Sequence, residues 1–278
     1  MPDNSGLMRG KRGLVMGVAN HRSLGWGIAK ACRGHGAELA FTYQGEALGK
    51  RVKPLAASVG ADLVLPCDVE DITSVDAVFA ELRRAWGTLD FLVHAVAFSD
   101  KAQLTGRYAD TTRENFLRTM LISCFSFTEA AKRAAALMPN GGAMLTLTYN
   151  GGLRAMPNYN AMGLAKAALE ASVRYLAVDF GGSAIRVNAI SAGPIRTLAG
   201  AGIGDARAMF AFQQRHSPLH RGVTLDDLGG AGLYLVSDLS TGVTGEIHFV
   251  DSGYNVIAMP HPDALRADHR AAADDAER

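Results

Sequence analysis

Cysteine is scarce in this sequence and does not pair: Cys32, Cys67 and Cys124 are an odd number without CxxC spacing. That excludes a disulfide framework and a cysteine-based zinc site, so all three are expected to be reduced and buried. His216 and His220 stand four apart, as two ligands on one helix face would, but Pro218 lies between them and no carboxylate adjoins either. No metal is expected there. No run of Lys or Arg could follow a phosphate backbone, and 28 basic residues nearly cancel 27 acidic ones, which argues against nucleic acid. No apolar run reaches the length of a membrane span, and Met1 to Lys11 lacks the hydrophobic stretch of a secretory signal. A cytoplasmic protein without membrane attachment is expected.

What is present fits a single large α/β domain over residues 1–260: the 278 residues are 48% apolar and 20% charged, enough to bury a sizeable core. Short aliphatic runs alternate with longer helical patterns, the mark of βαβ units and a doubly wound, Rossmann-type parallel sheet. Seven strands are predicted, at Gly13–Val18, Glu38–Tyr43, Asp62–Pro66, Phe91–Ala97, Ala143–Thr148, Arg186–Ser191 and Ile247–Asp251. Most are apolar throughout, so helices must cover both faces. Helices are predicted near Gly25–Gly34, Leu48–Val59, Ser74–Trp86, Arg113–Met138, Ala161–Gly181 and Leu225–Val236. Residues 261–278 combine Ala with alternating charge and are expected to form a flexible tail.

The first strand runs into Gly17, with Ser23, Gly25 and Gly27 in the turn before a helix. Glycine permits close approach to a pyrophosphate, which the amides and dipole of the helix would stabilise, although a plain tight turn gives the same pattern. Gln44 follows the second strand, where such folds select the adenine ribose, and no Arg or Lys occupies that strand end to meet a 2′-phosphate. NADH is therefore favoured over NADPH. Asp68 ends the third strand, where it could accept from the adenine amino group or cap the next helix. Ala95, Val96 and Ala97 are small enough for a cofactor to lie against the backbone, or for simple close packing.

The segment Tyr149-Asn150-Gly151-Gly152, Pro157-Asn158-Tyr159 and Lys166 carries the chemistry. Seven residues make nearly two helical turns, so Tyr159 and Lys166 share a face roughly 10 Å apart along the axis. This segment resembles the bacterial NADH-dependent enoyl-acyl-carrier-protein reductases, a divergent branch of the short-chain dehydrogenase/reductase superfamily, in which six residues separate the Tyr from the Lys where ordinary members have three. Position 163, where an ordinary member would carry Lys, is Gly. The resemblance runs from about Gly10 to Met259 and includes the Gly17…Ser23…Gly27 loop, Phe41-Thr42-Tyr43-Gln44, Cys67-Asp68-Val69 and Val187 to Thr197.

By that resemblance Gly17, Ser23, Leu24, Gln44, Asp68, Val69, Val96, Lys166, Ile195 and Thr197 would contact NADH. Ser99 would lie near the substrate, and Tyr149 and Tyr159 would be the catalytic tyrosines. The reaction implied is reduction of the trans-2 double bond of an enoyl thioester on acyl carrier protein, by a homotetramer. Physically, Tyr159 would donate to the enolate oxygen, an adjacent Lys166 ammonium would favour release of the phenolic proton, and Lys166 would mainly hold the nicotinamide ribose.

Three departures from the family pattern stand out: Ala97 for a common Gly, Ala95 for a common Ser, and Met16 for a common Thr. Leu198 to Arg215 is expected to form a mobile substrate-binding lid, freed by Gly200, Gly202 and Gly204, with Ala208, Met209, Phe210 and Phe212 as its apolar face. Arg207 and Arg215 supply only a thin basic patch for an acidic carrier, so a CoA thioester stays open as substrate. Two other readings compete. One is a carbonyl or hydroxyl oxidoreductase using Thr146 or Thr148 in place of the usual Ser. The other is a noncatalytic NAD-binding regulator.

Overall fold

The structure, a computed structural model, describes residues 6–195, 206–259 and 261–263. Seven strands form one sheet: β1 Arg12–Met16, β2 Glu38–Tyr43, β3 Leu63–Pro66, β4 Phe91–His94, β5 Gly142–Thr148, β6 Ile185–Ala192 and β7 Ile247–Val250. Their order is β3-β2-β1-β4-β5-β6-β7, with every neighbouring pair parallel. The helices between them are α1 Leu24–Gly34, α2 Gly45–Ser58, α3 Ile72–Trp86, α4 Arg113–Met120, α5 Ser126–Ala135, α6 Asn160–Gly181, α7 Ala206–His216 and α8 Leu225–Val236.

Alternation along the strands divides the core. Leu14 and Met16 of β1 join Leu92, Met144 and Val187 under α3, α5 and α6. Val15 points the other way and packs with Phe41, Val93 and Leu145 under α1, α2 and α8. The sheet is thus buried on both faces, which is why its strands read as continuous apolar runs. Strand order reverses between β1 and β4, and the carboxyl ends of those two strands open the crevice in which such folds bind ligands.

Where the structure differs from the sequence reading, the reason is local. The predicted helix Arg113–Met138 is broken by a π turn at Leu121–Phe125 and ends at Ala135. Strand β4 stops at His94, three residues short of its predicted end, and Ala95–Ala97 leave the sheet. Asp68 does not cap α3. That role falls to Asp71, whose carboxylate accepts from Thr73 N, while Asp68 accepts from Glu70 N and from Gln44 Nε2. Within the expected lid, Ala206–His216 is a helix; residues 198–205 lie outside the described residues, as do 264–278 of the expected tail.

Candidate active site

A cleft of about 610 Å³ opens over the carboxyl ends of the strands. At its β1 end the chain turns through Gly17, whose φ is +87° and where a Cβ would lie 2.2 Å from the Ala95 carbonyl oxygen. Only glycine fits, because both the backbone angle and the contact exclude a side chain. Ser23 precedes α1 but turns its hydroxyl back to accept from Ala19 N (2.9 Å) and Asn20 N (3.1 Å), and it makes no side-chain bond to its own helix. Trp26 N and Gly27 N donate to Ser23 O, so it is the amides of Leu24 and Gly25, at the very start of α1, that face an anion favoured by the helix dipole. Further along the wall Gln44 Nε2 donates to Asp68 Oδ2 at 3.1 Å. A glycine cradle beside a helix start, followed by a carboxylamide and a carboxylate, is a donor and acceptor set that fits a dinucleotide.

On the opposite side Tyr159 immediately precedes α6, Met162 and Lys166 follow on it, and all three line the cleft. Gly163 cannot carry a side chain without one being forced against the Gly151 carbonyl, where a Cβ would come within 2.9 Å. The shorter Tyr–Lys spacing of ordinary superfamily members is therefore sterically closed. The ring of Tyr149 meets that of Tyr159 edge-on, with centroids 5.2 Å apart and planes at 71°, a favourable aromatic geometry that fixes both rings. Leu104, Met156 and Met162 pack in the same apolar cluster.

Burial dominates the electrostatics. The Tyr159 phenol is pushed well above its usual range by desolvation, with Tyr149 and Glu170 adding to the effect. Desolvation likewise pushes Tyr149 up to about 12. Lys166 is not among the groups that set the Tyr159 shift; burial holds the phenol toward its neutral form, the form a hydrogen-bond donor needs. Lys166 is itself lowered to about 8 by burial, against smaller upward effects of Cys124 and Glu170. Its Nζ donates to the Leu147 carbonyl at 2.8 Å, which leaves two of its three hydrogens for another partner.

Twelve of the thirteen residues singled out from the sequence line this one cleft: Gly17, Ser23, Leu24, Gln44, Asp68, Val69, Val96, Ser99, Tyr149, Tyr159, Lys166 and Ile195. Thr197 lies outside the described residues. Met209 and Phe210 of α7 reach the cleft as expected of an acyl wall, whereas Phe212 packs on the ring of His216, 4.0 Å between centroids, and Ala208 is exposed. Thr146 is buried with its hydroxyl donated to the His94 carbonyl, and Thr148 donates to Glu170 at 2.7 Å. Neither hydroxyl is disposed to replace the serine of an ordinary member. Sequence reasoning missed Leu104, Ile122 and Arg118, which also line the cleft; they come from segments with no motif of their own.

The chain matches the family model described as enoyl-(acyl carrier protein) reductase over residues 17–255. It is 71% identical over 262 residues to an NADH-type enoyl-acyl-carrier-protein reductase of Rhizobium meliloti (strain 1021), covering 94% of this chain and 98% of the relative. Among solved structures it resembles FabI of Candidatus Liberibacter asiaticus at 60% identity and a TM-score of 0.90, over 92% of this chain and 99% of the other. A reductase from Anaplasma phagocytophilum solved in complex with NAD shares 58% identity and a TM-score of 0.89, over 92% of this chain and 97% of the other. A glycine-lined dinucleotide cleft, a Tyr–Lys pair at the wide spacing and these likenesses together place this chain in the enoyl-acyl-carrier-protein reductase family.

Proposed function

We propose that this chain reduces the trans-2 double bond of an enoyl thioester, carried on acyl carrier protein during fatty acid elongation, at the expense of NADH. The observation that carries the reading is the buried Tyr159 at the entrance to α6 with the buried Lys166 nearly two turns along it, both lining a cleft whose far end suits a dinucleotide. NADH, when bound, supplies a hydride to the β-carbon. Tyr159 then donates to the thioester oxygen as negative charge develops there, and a positioned donor in a dry site lowers such a barrier by a few kcal/mol. Tyr149 holds the Tyr159 ring edge-on. The two remaining hydrogens of Lys166 hold the ribose hydroxyls, and they do so as an ammonium below about pH 8. Solvent supplies the proton that reaches the α-carbon.

Gly17, Ser23 and Leu24 serve the pyrophosphate, Gln44, Asp68 and Val69 the adenosine half, and Val96, Ile195 and Thr197 the nicotinamide half, while Ser99 borders the substrate. We read residues 1–260 as one domain, cytoplasmic, with residues 198–215 closing over the acyl chain. Among the described residues no helix is long and apolar enough to cross a membrane. A homotetramer is supported by apolar side chains left in water along α4, the π turn and α6: Leu117 (60% exposed), Phe125 (52%), Tyr175 (76%) and Val178 (82%). Following NADH absorbance with a crotonyl thioester and with a simple ketone tests the activity. Oxidation with the thioester alone supports it; turnover of the ketone alone, or of neither, refutes it.

A further inference from the structure

The segment that leaves β4 is held by a row of buried polar side chains to which the reaction assigns no part. Asn115 and Thr119 of α4 and Ser123 of the π turn follow one another at four-residue intervals, so they lie on one helical face. All three are buried. Ser123 Oγ accepts from Phe98 N and donates to Phe98 O, both at 2.9 Å. Asn115 Oδ1 accepts from Asp100 N at 2.9 Å, and its Nδ2 donates to Ser99 Oγ at 3.3 Å. Thr119 Oγ1 donates to Ser99 Oγ at 2.9 Å. One turn further along, Ser126 Oγ donates to Ile122 O and meets His94 Nε2 at 2.9 Å.

The chain from His94 to Asp100 is therefore tied to one helix at both ends, and Ala95, Val96 and Ala97 are stretched between the ties across the floor of the cleft. Buried hydrogen-bonding groups are seldom left unmatched, so each tie is costly to break. Ala95 N still donates to Met16 O of β1 at 3.0 Å; past that bond the row of side chains takes over the function of the ladder. The π turn sits in the middle of the row, at the kind of position where such turns recur at functional sites.

We propose that Asn115, Thr119 and Ser123 are positioning residues for the enoyl substrate, acting through Phe98 and Ser99. The proposal rests on the reductase reading above. None of the three lines the cleft, whereas Phe98 and Ser99 do; they fix the wall against which the thioester would be held, which is the geometric condition for attack at the β-carbon. The pyrophosphate and adenosine end of the cleft, at Gly17, Gln44 and Asp68, is built from other segments.

Two substitutions at one position separate positioning from packing. Thr119→Val keeps the shape and removes the hydroxyl; Thr119→Ser keeps the hydroxyl and removes a methyl. The full-length protein is assayed with crotonyl-CoA and NADH, alongside hydrogen exchange at the amides of Phe98 and Asp100. For Thr119→Val we expect KM for crotonyl-CoA to rise roughly 5- to 30-fold, the equivalent of one buried hydrogen bond, with NADH affinity within about twofold. Thr119→Ser should stay within about twofold of wild type on both. Asn115→Ala should raise KM at least as far as Thr119→Val and speed exchange at Asp100; if it does not fold, the Thr119 pair decides. An unchanged KM in Thr119→Val, or a larger defect in Thr119→Ser than in Thr119→Val, overturns the proposal while leaving the reductase reading intact. A wild-type protein that oxidises no NADH with any enoyl thioester sinks the reductase reading, and this proposal with it.

Discussion

Replacing Lys166 by Met takes a buried ammonium out of the unliganded protein, and is expected to stabilise it while weakening NADH binding. The side chain is only 6% exposed, and burial lowers it from 10.5 to about 8. At about 1.36 kcal/mol per pH unit, holding the charged form inside costs roughly 3 kcal/mol at pH 7. Loss of the bond to the Leu147 carbonyl takes back about 1 kcal/mol, leaving a gain of roughly 2 kcal/mol and several degrees in Tm. The sign depends on pH. Between about 8 and 10.5 the folded protein has released a proton that the unfolded chain still holds, so wild-type stability climbs through that window. The variant lacks that rise, so its advantage is largest below pH 8 and fades toward pH 10.5. NADH affinity should fall about 10-fold or more, as charge-assisted hydrogen bonds to the ribose are lost. Thermal midpoints of the unliganded protein at pH 7 and 9.5, with NADH titrated by fluorescence, read both effects. A variant less stable than wild type at pH 7, with the same pH dependence and unchanged NADH affinity, would refute the reasoning.

Other outcomes follow from single contacts. Tyr159→Phe should lower kcat about 100-fold with NADH affinity preserved, since it removes one donor to the enolate; single-turnover rates and NADH titration measure the two. Gly17→Ala forces a Cβ to within 2.2 Å of the Ala95 carbonyl at a φ of +87°, so NADH binding should be lost and Tm lowered. Gly151→Ala places a Cβ 2.5 Å from the Tyr159 ring, and should cut kcat well before it affects NADH affinity. Sedimentation should show a tetramer at micromolar concentration, and a stable monomer would remove that part of the reading.

The features legible in the sequence are those that depend on local periodicity. Buried parallel strands read as apolar runs, so β2 was bounded correctly at Glu38–Tyr43. The seven-residue step from Tyr159 to Lys166 placed both on one helical face, and both line the cleft. Features set by distant partners were not legible. The early end of β4 accompanies side chains about 20 to 30 residues away, Ser123 gripping Phe98 and Ser126 gripping His94. The π turn is not marked in the sequence, because Leu121–Phe125 holds neither Gly nor Pro to signal a break in the helix. Burial is hidden for a related reason: an adjacent lysine can be read from spacing, but the desolvation that raises the Tyr159 phenol comes from the whole cleft.

The central claim is that hydride passes from NADH to the carbon β to a thioester while a solvent proton reaches the α-carbon. Its most direct test is turnover of a crotonyl thioester with NADH deuterated at the transferring position, in ordinary water, followed by mass spectrometry and NMR of the product. The account predicts one deuterium at C3 of a saturated butyryl thioester and hydrogen from solvent at C2. Deuterium on the carbonyl carbon, deuterium at C2, or a product that keeps its double bond would contradict it.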